Sequence, residues 1–308
     1  MRLLILALAS GLAAAAQALP DMRLLLTRVS EEAEVLQQNI VKTVTQETLE
    51  QRTLIAPSRF RPRPGESALS LEGQGRVRVR EVVSEYTIGA LGQAASQNLL
   101  EFREVISVDG RRIQTPEAAR HALSLGMRSP DERLRKRMLE DFAKNGLVDV
   151  ATDYAMVLLA FTKRGLEQLK IGAARPGWMG AVEALVLDWE QTSAASGQLE
   201  FRGKHVARRA LRGQLWVRKS DGLPLRVQAW TEHTDAEVSL RDHATIEYAV
   251  SAHGFLAPES VVHRHFVDGK LITENLYRYE PFRLFAAETE IKFTEVPDPS
   301  TLPSGKKQ

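Results

Sequence analysis

The chain contains no cysteine. Disulfides, thiolate metal sites and thiol nucleophiles are therefore excluded. No cysteine follows the N-terminal leader to accept a lipid either, so the chain is not itself a lipoprotein. Stability must come from a hydrophobic core and from hydrogen-bonded secondary structure, and the hydrophobic content of 44% is sufficient for a sizeable core.

Strong charge and catalytic motifs are missing as well. The 41 basic and 39 acidic side chains leave a formal net charge of +2, which gives no reason to expect a nucleic-acid partner. The chain has no G-x-S-x-G elbow, H-E-x-x-H helix, Walker loop or G-x-G-x-x-G turn. Glu101 and Glu104 are three apart in a predicted strand, so they cannot form one acid–base dyad. We expect a protein that is not an enzyme and that uses no cofactor.

Only the N-terminus carries a long apolar run. Arg2 precedes apolar residues 3–16, and Ala16-Gln17-Ala18 has the small-x-small pattern of a cleavage site. A retained anchor is less favoured, because about 20 apolar residues are needed to span a bilayer. The pattern predicts a cleavable signal peptide over residues 1–18 and a periplasmic or secreted mature chain with no transmembrane segment.

The rest of the chain predicts a single α+β domain over residues 19–296. A helical spacing of apolar residues, which includes Leu24 and Leu25, is followed by strand-like alternation. The predicted helix covers 21–38, and the predicted strands cover 40–54, 76–88, 99–108 and a long series within 182–293. The proline-containing tail, residues 297–308, is predicted to be disordered.

The middle of the chain predicts a helical insert over residues 115–165. Thr115 before Pro116, and Ser129 before Pro130, are typical helix starts. An apolar run that ends at Phe161 predicts a third, buried helix, with Gly165 as its left-handed cap. The predicted fold is a curved antiparallel β-sheet, an incomplete barrel, with an N-terminal helix and the central helical insert covering one face.

Residues 211–230 predict a hairpin with a defined register. Apolar residues occupy odd positions on both strands, and both sets must lie on one face. A three-residue loop, 220–222, with Gly222 in the left-handed conformation, satisfies this condition. The register predicts inward pairs Val217–Leu225 and Leu215–Val227, and outward cation–π pairs Trp216–Arg226 and Arg212–Trp230.

An incomplete barrel must cover its inner face, either by filling it with helices or by leaving a ligand groove. The candidate groove-lining residues are Phe161, Leu215, Val217, Leu225 and Val227. The alternative, that these side chains belong simply to the core, is commoner for apolar strand faces.

Two further patterns are candidates for binding. Arginines alternate along the proline-containing loop and along the next strand, where such rows can meet phosphates, carboxylates or anionic headgroups. The members of this candidate anion surface are Arg59, Arg61, Arg63, Arg76, Arg78 and Arg80. A solvated strand face that protects an edge is the commoner alternative.

Histidines form the second pattern. His263 and His265 share one strand face, and a hairpin centred on His253-Gly254 brings His243 opposite position 264. Three imidazoles could hold a divalent metal, but no cysteine or acidic ligand accompanies them in the sequence. A polar strand face is favoured, and we expect no metal.

The mature chain resembles a family of uncharacterised secreted bacterial proteins. The similar segments are 100–110, 139–146, 213–222 and 277–283, and the resemblance spans residues 20–293. The family implies no activity. More distantly, the layout is similar to the periplasmic lipoprotein-carrier (LolA-like) fold, whose strand turn resembles Asp-Gly-Leu-Pro-Leu-Arg-Val at 221–227.

The LolA-like resemblance implies acyl-chain binding between a sheet and its covering helices. We therefore expect a periplasmic or secreted carrier-type protein, with a lipid or an acylated protein as its partner. The alternative is an envelope interaction or scaffold protein with no small ligand, which uses the arginine-rich segment to contact an anionic envelope component.

The predicted cleavage site gives the first test. Expression with export should yield a mature chain that begins at Leu19, measured by intact mass and N-terminal sequencing. A secreted product that still begins at Met1 would contradict the signal peptide.

Overall fold

A computed structural model describes part of the chain. The described residues are 21–55, 76–90, 99–127, 133–194, 198–202, 205–235 and 237–285. Some predictions fall outside these ranges: the signal peptide, the arginines Arg59, Arg61 and Arg63, the helix start at Ser129, and the tail 297–308.

Five helical elements are described. They are α1 (Met22–Ile40), α2 (Pro116–Met127), α3 (Arg133–Lys144), a 3₁₀ helix (Tyr154–Phe161) and α4 (Lys163–Leu166). No helix in the described ranges is long and apolar enough to cross a membrane.

Most of the remaining described chain is strand. The strands are β1 (Thr43–Ile55), β2 (Arg76–Ala90), β3 (Leu99–Val108), β4 (Arg111–Arg112), β5 (Leu169–Ile171), β6 (Arg175–Met179), β7 (Val182–Gln191), β8 (Gln198–Arg202), β9 (His205–Arg209), β10 (Arg212–Arg218), β11 (Pro224–Asp235), β12 (Val238–Val250), β13 (Leu256–Val267), β14 (Lys270–Tyr279) and β15 (Arg283–Leu284).

Thirteen of these strands form one sheet. Its order is β4-β3-β2-β1-β14-β13-β12-β11-β10-β7-β5, with β15 beside β1 and β6 beside β7, while β8 and β9 form a separate hairpin. All neighbouring strands of the sheet pair antiparallel, and among the described residues the two ends of the order do not pair, so the sheet is not closed. The predicted α+β fold with a curved antiparallel sheet is confirmed.

Helix α1 lies across one face of the sheet, called the inner face below. Asp21 caps it by accepting a hydrogen bond from the amide of Arg23 at 2.9 Å. Val29 and Ala33 are fully buried on the predicted apolar stripe. Leu24 was predicted on that stripe too, but it is 70% exposed, because successive helical residues point about 100° apart.

The helical insert passes around the β3 edge of the sheet. Met138 and Phe142 of α3, and the 3₁₀ helix, join the main core on the inner face. Helix α2 packs on the opposite, outer face of β2 and β3, where Leu123 meets Phe102 and Leu100. The insert therefore covers the inner face, as predicted, and in addition shields the outer face at the β3 edge.

The hairpin of β10 and β11 follows its predicted register except at the turn. Leu215 pairs with Val227 and Trp216 with Arg226, and Gly222 has the expected left-handed φ of 71°. A bulge between Trp216 and Val217 places Pro224 opposite Val217. The predicted Val217–Leu225 pair is therefore wrong, and Leu225 is only half-buried. Proline has no amide hydrogen for the ladder, so it belongs at the start of a strand.

The outward pairs of this hairpin differ from each other. The Arg226 guanidinium lies 5.7 Å from the centre of the Trp216 ring, which confirms one cation–π contact. Arg212 stands opposite Trp230 but donates to Glu232 at 3.2 Å, while Trp230 stacks on His243. Arg226 also donates to a carboxylate, that of Glu247 at 2.7 Å, so the two pairs differ in Trp230, whose ring stacks on His243 instead of the arginine.

The third helix predicted in the insert differs from the structure in its helix type and in the way it ends. It is a 3₁₀ helix, and Thr162 then begins α4 by accepting from the Gly165 amide at 3.3 Å. The left-handed cap predicted at Gly165 is wrong. Glycine is needed there because a Cβ would lie 2.3 Å from the carbonyl oxygen of Ala160.

Gly213 gives a test of the packing on the inner face. A Cβ there would lie 1.8 Å from the Gln228 carbonyl oxygen and 3.0 Å from the Trp189 ring. Gly213→Ala should lower the free energy of unfolding by about 2–3 kcal/mol in urea titrations, because the strands must move apart. Gly172→Ala, where the nearest atom is 3.5 Å away, is the matched control and should change stability by less than about 1 kcal/mol. Equal effects of the two substitutions would contradict this account.

Candidate functional site

The inner face changes from apolar to polar along the strands. One row, called the apolar row, crosses eight strands and is buried throughout. Its members in strand order are Val82, Leu49, Tyr277, Val261, Ile246, Val227, Leu215 and Leu187. This row gives the sheet a continuous apolar band whose fully buried part ends at β2, where Val82 pairs with the partly buried Val108 of β3.

The next two rows along the strands become progressively polar. The middle row is Arg80, Gln51, Asn275, His263, Ala244, Ala229, Gly213 and Trp189. The polar row beyond it is Arg78, Thr53, Thr273, His265, Asp242 and Thr231. Residues 146–161, called the cover segment, lie against this face.

A buried ion cluster lies on the same inner face, on the side of the apolar row that is away from the middle row. Arg103 donates to both carboxylate oxygens of Glu47, at 2.6 and 2.8 Å, and its Nη2 lies 2.7 Å from Glu101. All three side chains are 1% exposed. The guanidinium also lies 4.9 Å from the Tyr86 ring and 5.3 Å from the Tyr277 ring. These contacts connect β1, β2, β3 and β14.

The electrostatics of this cluster keep Arg103 charged. Burial opposes the charge, but the carboxylates of Glu47 and Glu101 outweigh it and raise the pKa of Arg103 well above its ordinary value. Burial also raises the pKa of Glu47, which Arg103 offsets only in part. The cluster therefore acts as a buried ion network that ties the strands together.

The cover segment is fastened to the middle row by two amide side chains. Gln51 Nε2 donates to the Val148 carbonyl at 2.7 Å and to Asn275 Oδ1 at 2.6 Å, and Gln51 Oε1 accepts from the Val148 amide at 3.0 Å. Asn275 Nδ2 donates to the Asp149 carbonyl at 2.9 Å. These backbone partners fix the orientation of both amides.

The same network reaches a carboxylate held by two imidazoles. Asn275 Nδ2 lies 3.2 Å from His263 Nδ1, so that nitrogen accepts and Nε2–H donates to Asp242 Oδ1 at 3.0 Å. His265 Nδ1 lies 2.8 Å from the same oxygen. Burial by itself raises the pKa of Asp242, but the hydrogen bonds to the two imidazoles, together with their positive charge when they are protonated, lower it well below its ordinary value.

The three histidines do not converge, and the expectation that no acidic side chain accompanies them is wrong, because Asp242 contacts His263 and His265. His243 pairs with Arg264, as the sequence predicted, and this places it on the outer face. His263 and His265 face inward, because opposed residues of an antiparallel pair share a face. Within the described part of the chain, no group of three or more histidine and acidic side chains is arranged to hold a metal.

Four more hydrogen bonds, made by three side chains of the sheet, hold the cover segment. The Tyr248 hydroxyl donates to the Ala155 carbonyl at 3.0 Å and accepts from the Leu158 amide at 3.2 Å. Glu101 accepts from the Ala155 amide at 3.0 Å, and Tyr277 donates to the Ala151 carbonyl at 2.8 Å. Polar side chains of the sheet therefore replace the hydrogen bonds that a longer helix would make internally.

Three of the predicted groove-lining residues, Leu215, Val217 and Val227, lie on the sheet beneath this cover, and Phe161 is the last residue of the cover itself. Leu215, Val217, Val227 and Phe161 are fully buried in the main core, and Phe161 packs edge-on against Trp189 at 5.5 Å. Leu225 is half-buried next to the bulge. The structure brings the four buried residues together at the inner face.

The described arginines of the candidate anion surface also face inward. Arg78 Nη2 donates to the Gly146 carbonyl at 2.7 Å, and Arg80 pairs with Asp109. Arg76 is exposed at the start of β2. Sequence reasoning found this row but missed Glu47, Arg103 and the Gln51–Asn275 pair. The only local signal was polar residues at inward positions of strands, and their partners are far apart in sequence.

The sequence matches no family model and no curated protein. Among solved structures the chain is similar to a DUF1329 family protein from Desulfovibrio piger, with a TM-score of 0.33, 9% identity, and coverage of 84% of this chain and 93% of that one. It is also similar to MucB in complex with MucA(peri), with a TM-score of 0.19, 12% identity, and coverage of 86% and 99%. Similarity at this level assigns the chain to no family and to no function.

Asp242 gives a pH-dependent prediction. Because its pKa is lowered in the folded state, its contribution to stability is fully present above its ordinary pKa of 3.8 and is lost as the pH falls below that value. Asp242→Asn should therefore destabilise the protein by about 2–3 kcal/mol at neutral pH, and the deficit should shrink in acid. Urea titrations across pH measure this, with the exposed Asp235→Asn as control. A deficit that stays constant into acid would contradict the assignment.

Proposed function

We propose that the protein is a non-catalytic binding or carrier protein that works outside the cytoplasm and holds an acyl chain between the inner face and the cover segment. The observation that supports this most is the apolar row, which lies beneath a cover segment fastened by a small set of polar contacts. An acyl chain needs an apolar surface that is long, continuous and shielded from water.

The apolar row has suitable dimensions. Adjacent strands lie about 4.8 Å apart, so a row across eight strands extends for about 34 Å. The hydrocarbon core of a bilayer is about 30 Å thick and contains two chains end to end, so one chain needs about half of that length. The row therefore accommodates a long-chain acyl group that crosses the strands.

The 3₁₀ helix consists of residues whose apolar contacts with the sheet an acyl chain can replace. All eight residues, Tyr154–Phe161, are apolar or aromatic, so an acyl chain can take over their contacts with the sheet at little net cost in buried apolar area. Runs of 3₁₀ helix longer than about four residues are uncommon, because their hydrogen-bond geometry is poor. The left-handed residues Asp149 and Asp153 precede it. Such a segment moves more readily than an α-helix.

The alternative, a scaffold that uses its arginines on an envelope surface, receives less support. Arg78 and Arg80 face the inner side, where their guanidinium groups contact Gly146 and Asp109. A flat anionic surface would meet the outer face instead.

The experiment that tests the proposal is photocrosslinking with palmitate that carries a diazirine. The mature protein should bind the probe at one-to-one stoichiometry in native mass spectrometry, and crosslinks should fall on β10–β12 and on residues 154–161. Excess unlabelled palmitate should abolish them. No uptake, or crosslinks confined to the outer face, would overturn the proposal.

Tyr248→Phe tests whether the cover segment controls access. The change removes the hydroxyl that joins Ala155 and Leu158 to the sheet, so palmitate uptake should be several times faster in stopped-flow fluorescence, with a stability loss of about 1 kcal/mol. Thr87→Val is the matched control, because it also removes a buried hydroxyl that donates to a backbone carbonyl, but one that lies away from the cover. Equal uptake rates in both variants would argue against gating.

A further inference from the structure

The apolar row ends at β2 beside a row of arginines, and this juxtaposition identifies a second part of the site. We propose that Arg76, Arg78 and Arg80 form an anion-binding subsite that receives the charged headgroup of the acyl ligand. The inference rests on the proposed function and names the ligand class as an amphiphile with a carboxylate or phosphate head.

Position is the first argument. Val82 ends the apolar row on β2, and Arg80, Arg78 and Arg76 follow at alternate positions of the same strand, on the same face. Each step of two residues advances about 7 Å along the strand. A chain that lies on the apolar row and leaves it at β2 therefore places its head next to Arg80 and Arg78.

Charge is the second argument. Asp109 pairs with Arg80, and its other oxygen accepts from the Glu81 amide at 3.0 Å. The Arg78 guanidinium has a carbonyl as its described partner, and Arg76 is exposed. The Nε atoms of both Arg78 and Arg80 are buried without a hydrogen-bond partner in the described structure. Buried donors of this kind are satisfied by an anion that accepts from two guanidiniums.

Gly146, the first residue of the cover segment, lies beside the guanidinium groups of Arg78 and Arg80. A Cβ on Gly146 would lie 3.5 Å from Arg80 Nη2 and 3.8 Å from Arg78 Nη1, and Gly146 has a left-handed φ of 77°. The Arg78–Gly146 hydrogen bond is 2.7 Å long. A phosphate or carboxylate is a stronger acceptor than a carbonyl. Binding of the head therefore releases Gly146 and loosens the cover where the chain must enter.

The experiment compares three ligands with the same chain by displacement of a fluorescent fatty acid. Palmitate carries a carboxylate, palmitoyl lysophosphatidate carries a phosphate, and methyl palmitate carries neither. At least one anionic ligand should bind about tenfold more tightly than the ester, with the difference reduced at high salt. The stronger of the two anionic ligands identifies the head.

The variants locate the effect. Arg78→Gln should remove most of the preference for an anionic head and leave methyl palmitate binding unchanged within about twofold. Arg52→Gln is the matched control, because it removes the same charge from the outer face of the adjacent strand, where Arg52 pairs with Glu50. Arg76→Gln tests an exposed arginine, whose replacement leaves the fold intact, and should reduce the preference by a smaller factor.

Three outcomes overturn the inference, and they are distinguishable. If the ester and the anionic ligands bind equally, and Arg78→Gln changes nothing, the subsite is wrong while the acyl-binding function stands. If none of the three ligands binds, the proposed function itself fails. An equal loss of anion preference in Arg52→Gln and Arg78→Gln would also refute the subsite, because it would show only a general effect of net charge.

Discussion

The buried contact of Arg103 with Glu47 and Glu101 is the interaction on which the sheet and its cover both depend. A guanidinium and two carboxylates leave water at a large desolvation cost, which is offset only when their geometry holds. That geometry requires β1, β2 and β3 to pair in one register. Glu101 also accepts from the Ala155 amide, so the same cluster sets where the 3₁₀ helix begins. Loss of Arg103 would leave two buried carboxylates without their counter-ion.

The graded inner face follows from the same pairing. Opposed residues share a face, so a move of two residues along the strands reaches the next row of side chains on that face. Here the rows change from wholly apolar to mixed to wholly polar within four residues of each strand. The apolar level provides the surface for an acyl chain. The middle row and the polar row provide side chains that hold the cover segment and, at β2, the arginines. Binding surface, cover and headgroup contacts are therefore consequences of one alignment of strands.

Prediction from sequence succeeded where the signal was local. Alternation placed Leu215 and Val227 inward and Trp216 outward, because the two-residue period of a strand is a property of its own backbone. Prediction failed where a neighbour intervened. Pro224 introduced a bulge that displaced Leu225, and Thr162 began a new helix where Gly165 was expected to end one. The missing amide hydrogen of Pro224 and the capping of α4 by Thr162 are backbone effects, and the spacing of apolar residues does not reveal them.

Local spacing in the sequence was enough to predict the fold class, the inward apolar residues other than Leu225, and the arginine row of β2. Each of these depends on spacing between neighbours in the chain. Tertiary contacts were needed to establish that His243 faces away from His263, that Gln51 and Asn275 hold the cover, and that Arg103 joins Glu47 to Glu101. Apart from Glu101, which is two positions from Arg103, these partners are tens to hundreds of positions apart. Burial makes each contact depend on the register of the strands between them. A single sequence contains the residues but not that register.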